Sequence, residues 1–291
     1  MNPLARLREL IGSVIRSKVA GPDAEAREAR IWGADGERWH APDDVIWAVN
    51  RDAAMYAGGI RALLLQALHP SAMAGVAGHS GYRSDPWGRL QRTGEFIAMT
   101  TYGPIPAAEE LIGRVRAVHE RVRGKTDDGT PYRASDPHLL AWVHAAETAS
   151  FLASYQAFGP RRLAPGEADQ YVASAAPAGE LLGAVDLPRT EADLLAAIEA
   201  YRPELRASAA AVDTVDFLLR TPPVPWPGRI GYWMLAAGAI STLPRWVREE
   251  LKLPTSRWFD RLVGLPLGGF ATRVARWAIT PPTTREERAR A

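Results

Sequence analysis

Apolar residues along this 291-residue chain recur at intervals of three and four far more than they alternate, which is the period of helices laid on a core and not of half-buried strands. No run of alternating β-branched residues is bounded by hairpin turns, so the pattern predicts an all-α fold. Punctuation places several helices. Asp43 or Asp44 can cap one that runs through Trp47, Met55 and Ile60 toward Leu68, and Pro70 forces a kink or a new start after His69. Asp85-Pro86 is an N-cap followed by proline at the first helical position, and Gly103-Pro104 closes that helix. A further helix is expected over residues 107–123 with Gly124 as its stop. Another runs from Asp136-Pro137 to Phe158-Gly159, and shorter ones cover 167–175 and 191–201. A proline-rich break at 221–227 precedes the last part of the chain. Nothing resembles a linker between domains. The reading is one helical domain: an N-terminal extension over 1–44, a core over 45–220, and a C-terminal cap and tail over 221–291 whose end, 283–291, is expected to fray.

Composition narrows the chemistry. With 47% hydrophobic residues the chain supplies a large core, and 35 basic against 33 acidic residues leave a net charge of +2, so no nucleic-acid partner is indicated. The absence of cysteine excludes disulfides, zinc ribbons, thiolate-ligated or covalently attached haem, and thiol nucleophiles. Residues 1–16 mix Arg6, Arg8, Glu9 and Arg16 with short apolar pieces and read as an amphipathic helix of a cytoplasmic protein, not as a signal peptide. Two apolar stretches invite a membrane reading. Residues 53–77 are interrupted by Arg61, Gln66, His69 and Pro70, and 230–243 is too short to cross a hydrocarbon core of about 30 Å. From Trp226 onward five of the ten tryptophans are interspersed with arginines. That pattern fits either a surface lying peripherally against lipid or a helical cap whose tryptophans are core.

Five of the six histidines fall between Gln66 and Phe158, and imidazole is the ligand type left to any transition metal here. His119 continues a stripe of Leu111, Ile112, Val115, Val118 and Val122, and so points inward, as a satisfied core residue or as a ligand. Leu140, His144, Glu147, Phe151 and Phe158 share a face of the long helix, where two polar groups interrupt an apolar stripe and need partners. They could clasp each other or support a metal ligand, whereas His138, off that stripe, is expected in solvent. A di-iron carboxylate site needs two Glu-x-x-His helices, and the chain offers only Glu37-x-x-His40 beside Pro42. Arg89, Thr93, Phe96 and Thr100 lie on one side of the helix opened by Asp85-Pro86, with Arg92 adjacent. Arginines there suit either a carboxylate held at the edge of an apolar pocket or plain ion pairing with Asp85 or Glu95. Between His69 and His79 the small residues 72–78 allow close approach to a flat ligand or tight helix packing. No phosphate-binding glycine loop, His-Glu-x-x-His or nucleophile elbow is present.

Taken in order, Gln66-Ala67-Leu68-His69-Pro70, Gly78-His79-Ser80, Arg89-x-x-x-Thr93, His119-x-x-x-x-Gly124, Tyr132-x-Ala134-x-Asp136-Pro137, Trp142-Val143-His144-Ala145 and Leu182-Gly183 followed by Leu187-Pro188-x-Thr190 resemble the rubber-oxygenase (latex-clearing protein) and MpaB-type oxygenase family. The resemblance spans roughly residues 45–255, and the ordered set is more specific than any one piece. It implies an all-α protein with a globin-like core that holds haem b non-covalently and uses dioxygen on carbon–carbon double bonds of isoprenoid chains. By position, His119 resembles the proximal iron ligand, and Arg89 and Thr93 the paired residues of the haem-pocket helix. Arg92 stands where the rubber oxygenases place a distal basic residue, and Phe96, His79 and His144 are expected around the cofactor. The chain departs from the pattern at residues 71–77, Ser-Ala-Met-Ala-Gly-Val-Ala, where the rubber-cleaving members carry a carboxylate, so polymer cleavage by that route is not expected. The expectation is a haem-dependent oxygenase acting with dioxygen on a hydrophobic, isoprenoid-like small molecule. A non-catalytic haem- or gas-binding protein and a cofactor-free membrane-peripheral scaffold are the alternatives.

Overall fold

The computed structural model describes residues 3–19, 21–79 and 83–280, with the side chain of His79 outside that description; the expected frayed tail likewise lies outside it. Among the described residues the chain is all-α apart from one small hairpin. In order come α1 (Pro3–Val19), α2 (Ala24–Trp32), α3 (Val45–Asn50), α4 (Ala54–Gln66), α5 (Pro70–His79), α6 (Pro86–Tyr102) and α7 (Ile105–His119). The hairpin β1 (Arg123–Lys125) and β2 (Pro131–Arg133) follows, then α8 (Pro137–Phe158), α9 (Pro165–Leu182), α10 (Glu191–Ala200), α11 (Ala209–Leu219) and α12 (Trp226–Thr242). The chain closes with α13 (Arg245–Glu250), α14 (Arg257–Phe259), a π-helical turn (Asp260–Gly264) and α15 (Leu265–Ile279).

The proline marks are realised as expected. Asp85 accepts from the Gly88 amide at 2.9 Å, and Asp136 accepts from the His138 amide at 2.9 Å and the Leu139 amide at 3.4 Å, so α6 and α8 both start on a capped proline turn. Three expectations are corrected. The helix from Asp44 toward Leu68 is broken at Arg51–Ala53 into α3 and α4, where the Asp52 side chain accepts from the Ala54 amide and restarts the backbone. The helix expected to reach Arg123 ends at His119, and Gly124 is not its stop but a strand residue facing Tyr132. A Cβ on Gly124 would lie 2.9 Å from the Tyr132 hydroxyl, so close crossing of the hairpin, not helix termination, is what the glycine provides. The expected short helix at 167–175 extends from Pro165 to Leu182 as α9, passing through Pro177.

The longest helix, α8, lies against α4 and also meets α9 and α10, while α12 packs on α4 and α15 on α12. One cluster of buried side chains runs from Ile46 to Leu251 and includes Leu64, Trp142, Tyr171 and Val247. Arg61 is buried within it without a carboxylate. Its guanidinium donates to Ser150 Oγ on α8 at 2.7 Å and to the Thr242 carbonyl on α12 at 3.2 Å, and desolvation lowers its pKa to about 10. Three helices are thereby tied through a single side chain. The small residues 72–78 belong to α5, which backs onto the hairpin, with Tyr132 3.5 Å from where a Gly75 Cβ would stand, so the close neighbour at these glycines is the hairpin.

Candidate active site

α6, α7, α8, α9 and α3 with the segment ahead of it line a cavity, and the space between their atoms, its solvent-open mouth included, is about 820 Å³. α8 supplies Leu140, Val143, His144, Glu147, Thr148 and Phe151, the face anticipated from sequence up to Phe151. Phe158, two turns on, leaves that wall and packs between Gly238 and Gly268. α6 contributes Phe96, Ile97 and Thr100, and α9 contributes Tyr171, Ala175, Ala178 and Gly179. Gly179 is there for fit: a Cβ would stand 2.9 Å from His144 Nδ1 and 2.7 Å from Leu187 Cδ1.

His119, the last residue of α7, reaches this cavity. Residues Ala108, Ile112 and His119 share the inward side, since seven residues bring a helix back to within about 20° of its starting direction. Val118 sits about 100° away and is 49% exposed, a correction to the stripe drawn from sequence. The His119 Nδ1 is buried and has no hydrogen-bond partner. Desolvation lowers the pKa of the ring, with Glu120 opposing, so the imidazole is held neutral.

The other polar groups of the cavity are equally poor in partners. His144 is driven down to about 4 by burial and then by the charge of Arg189, and its Nε2 stands 3.4 Å from Thr148 Oγ1. Of the two possibilities read from sequence, the clasp of His144 to Glu147 is not formed. Glu147 has no hydrogen bond or ion pair among the described residues, and burial pushes its carboxyl up to about 7. Burial and the Glu147 charge raise the Tyr171 phenol. His40 is buried, with a pKa lowered by desolvation. Asn50 donates to Thr101 Oγ1 at 2.8 Å and leaves its own Oδ1 buried without a partner. The lining therefore presents apolar walls, neutral imidazoles and one carboxyl near half-protonation at neutral pH.

The structure does not bring every expected residue here. Phe96, His119 and His144 line the cavity; Arg89, Thr93 and Arg92 do not. Arg89 and Thr93 continue the Phe96 side of α6 toward its N-terminus, by about 10 and 5 Å along the helix. Arg92 is exposed and pairs with Asp85 at 3.2 Å, and Glu95 pairs with Arg27 and Arg30. His69 and His138 form a second group at the start of α8. His138 Nε2 is 2.9 Å from Glu204 Oε1, and His69 Nε2 is 3.7 Å from Glu204 Oε2. The Tyr201 hydroxyl donates to the His138 carbonyl at 2.7 Å. His138 is exposed, as its position off the stripe suggests. Among the described residues no three His, Asp or Glu side chains converge to hold a metal by themselves.

Residues 47–279 match the family described as ER-bound oxygenase mpaB/B'/rubber oxygenase, catalytic domain. The chain belongs to this family. It is an oxygenase-type enzyme, and the matched region, about four-fifths of the chain, contains the whole cavity except Trp39, His40 and Ile46. No curated protein and no solved structure matches it. No helix of this oxygenase among the described residues is long and apolar enough to cross a membrane.

Sequence reasoning missed the α9 wall of the oxygenase cavity and its Tyr171. The signal was present in Ala175, Ala178 and Gly179, small residues at helical spacing, but it merges with ordinary helix packing. His40 and Asn50 stand in short, weakly periodic stretches that give no directional cue.

Proposed function

We propose that the cavity binds haem b, whose iron His119 would hold, and that the enzyme acts with dioxygen on a hydrophobic, isoprenoid-like small molecule. The observation that carries this reading is His119: a neutral imidazole with a buried, unpartnered nitrogen at the wall of a largely apolar cavity. A metal coordinates only the unprotonated ring, and burial provides that state. The donor set also fits. One imidazole unaccompanied by other converging ligands suits a metal that arrives with its own equatorial donors, as a porphyrin does.

When bound, the haem would supply the redox chemistry that engages dioxygen, while the protein would supply the His119 ligand, dryness and substrate placement. Phe96, Ile97, Val143 and Phe151 exclude water and give an apolar substrate its binding surface. Arg89, beyond Phe96 on the same side of α6, is the cation we assign to the carboxylates of the cofactor, with Thr93 between as a hydroxyl partner. We assign Arg92 no part inside, because it is exposed and engaged by Asp85. Glu147 is the group able to hold or release a proton inside the cavity near neutral pH. It is thus our candidate for the acid that residues 71–77 lack. His144, neutral down to about pH 4, supports the wall between α8 and α9 and is no proton carrier under ordinary conditions.

The test is reconstitution of the purified chain with haemin, followed by oxygen uptake on addition of carotenoid- or terpenoid-like compounds. A Soret band with substrate-dependent uptake is expected, and Glu147→Gln should keep the band and lose at least tenfold in uptake. A colourless wild-type protein contradicts the reading. Haem binding without uptake for any such compound leaves a haem-binding protein and removes the substrate assignment.

A further inference from the structure

The last helix is inside out for a surface helix. Residues 257–279 run continuously through α14, the π turn and α15. On α15 the buried side is small: Gly268, Ala271, Thr272, Ala275 and Ala278. A Cβ on Gly268 would lie 2.6 Å from the Gly238 Cα of α12, so the two backbones meet almost directly. The large side chains stand on the opposite side. Trp258 is 64% exposed, Leu262 62% and Phe270 54%, with Leu265 and Trp277 also exposed. Solvent-facing helix surfaces are ordinarily polar, and the ridge is not explained by folding, because Trp258, Leu262 and Phe270 stand mostly in solvent and Trp277 is met only on one side, by Arg8 of α1.

The charges between these residues are of one sign. Arg257, Arg261 and Arg273 are exposed and make no ion pair or hydrogen bond among the described residues. Arg273 lies three residues after Phe270 and four before Trp277, so guanidinium and rings share one side. α12 and α1, which both pack on α15, extend the pattern. They expose Trp226 and Ile230, and Leu4 and Leu7. Over residues 226–280 eight Lys and Arg face three Asp and Glu, and α1 adds four basic residues against one acidic. A chain with net charge +2 thus concentrates +8 on these helices, leaving the remainder net acidic.

We propose that this face docks on the surface of an anionic lipid bilayer, with the Trp, Leu and Phe side chains entering the headgroup region and the unpaired arginines meeting lipid phosphates. Tryptophan and arginine interleaved along an amphipathic helix are the chemistry of an interfacial helix, and juxtaposed basic residues are drawn to anionic lipid. No helix among the described residues is able to span a bilayer, so the contact is peripheral. This proposal is independent of the cofactor reading, since none of these residues lines the cavity.

The experiment is co-sedimentation of the full chain with vesicles of phosphatidylcholine alone and of phosphatidylcholine with one-third phosphatidylserine, read also by quenching of tryptophan fluorescence with brominated lipid. Binding to the anionic vesicles should be at least tenfold stronger than to neutral ones and should weaken with salt. Trp258→Ser with Phe270→Ser should lower it about tenfold at unchanged thermal stability. Arg261→Glu with Arg273→Glu should erase the preference for anionic lipid. Equal sedimentation with and without anionic vesicles overturns the proposal. So does a lipid-free dimer, seen by analytical ultracentrifugation, that the Trp258→Ser, Phe270→Ser variant abolishes, because the occupant of the face is then a second copy of this chain.

Discussion

α8 carries two histidines less than two turns apart that live in opposite circumstances. His138, in the first turn, is exposed, shares Glu204 with His69 and accepts a tyrosine against its backbone. Its ring lies 4.6 Å from that of Tyr201, which in turn lies 5.1 Å from Trp142. His144 looks instead into a cavity with His119, Glu147 and Tyr171, where burial is deep and partners are few. The first group ties His138 to Glu204 and Tyr201 and joins α8 to the turns before α5 and after α10, although both ring nitrogens of His69 and the Trp142 Nε1 are buried there without a hydrogen bond. The second leaves polar atoms unsatisfied, which costs stability wherever no ligand is bound. Burial without a hydrogen bond is common to His69 and His119, so what sets His119 apart is that its ring borders an open cavity while His69 is packed beside Trp142 and Tyr201.

The largest effect is expected on the structural side. Trp142 is fully buried between His69 and Tyr201, and Trp142→Ala should cost about 3–5 kcal/mol in urea unfolding, as large aromatic truncations in cores do. A loss below about 1 kcal/mol would mean that the cluster is not a packing centre.

On the cavity side the sign reverses. Glu147 is held up to about 7 from an ordinary 4.5. Between those values the folded chain keeps a proton that the unfolded chain has released, so stability falls as pH rises through that window. His144, held down to about 4 from 6.5, acts oppositely: its folded form stays neutral while the unfolded ring takes a proton, so stability falls as pH drops from 6.5 toward 4. Above pH 7 only the Glu147 penalty remains. Glu147→Gln should therefore stabilise the ligand-free protein by about 3 kcal/mol at pH 8 and by less than about 1 kcal/mol at pH 5. Equal gains at both pH values would show that the carboxyl is not perturbed.

Legibility followed the strength of local signals. Proline-capped starts at Pro86 and Pro137 and the inward turn of His119, Leu140, His144, Glu147 and Phe151 were readable because 3.6-residue periodicity fixes direction within one helix. The break at Arg51–Ala53 and the end of α7 at His119 were not, because tertiary contacts set them: Asp52 restarts α4 while receiving Arg276 at 2.7 Å, and the hairpin takes the chain away after residue 119. Which helix faces which is also beyond periodicity. His119 and Glu147 can each be placed on an inner side from sequence, but their sharing a cavity with Tyr171 depends on how α7, α8 and α9 pack. The order of motifs that identifies the family was legible from residue 66 onward.

Two smaller effects sharpen the contrast. Asp136→Ala removes the cap that starts α8 and should cost about 1 kcal/mol. Tyr201→Phe removes one hydrogen bond to the His138 carbonyl and should cost about 0.5–1.5 kcal/mol. Neither should change haem uptake, because neither residue lines the cavity.

The most direct measurement is a haemin titration of the wild-type chain, His119→Ala and His69→Ala side by side, followed by absorption and by thermal unfolding. His119→Ala should weaken haem binding at least a hundredfold and change the Soret band while leaving the ligand-free protein as stable as before. His69→Ala should bind haem like the wild type and unfold at lower temperature. An unaltered Soret band and affinity in His119→Ala would contradict the assignment of the cavity imidazole as the iron ligand.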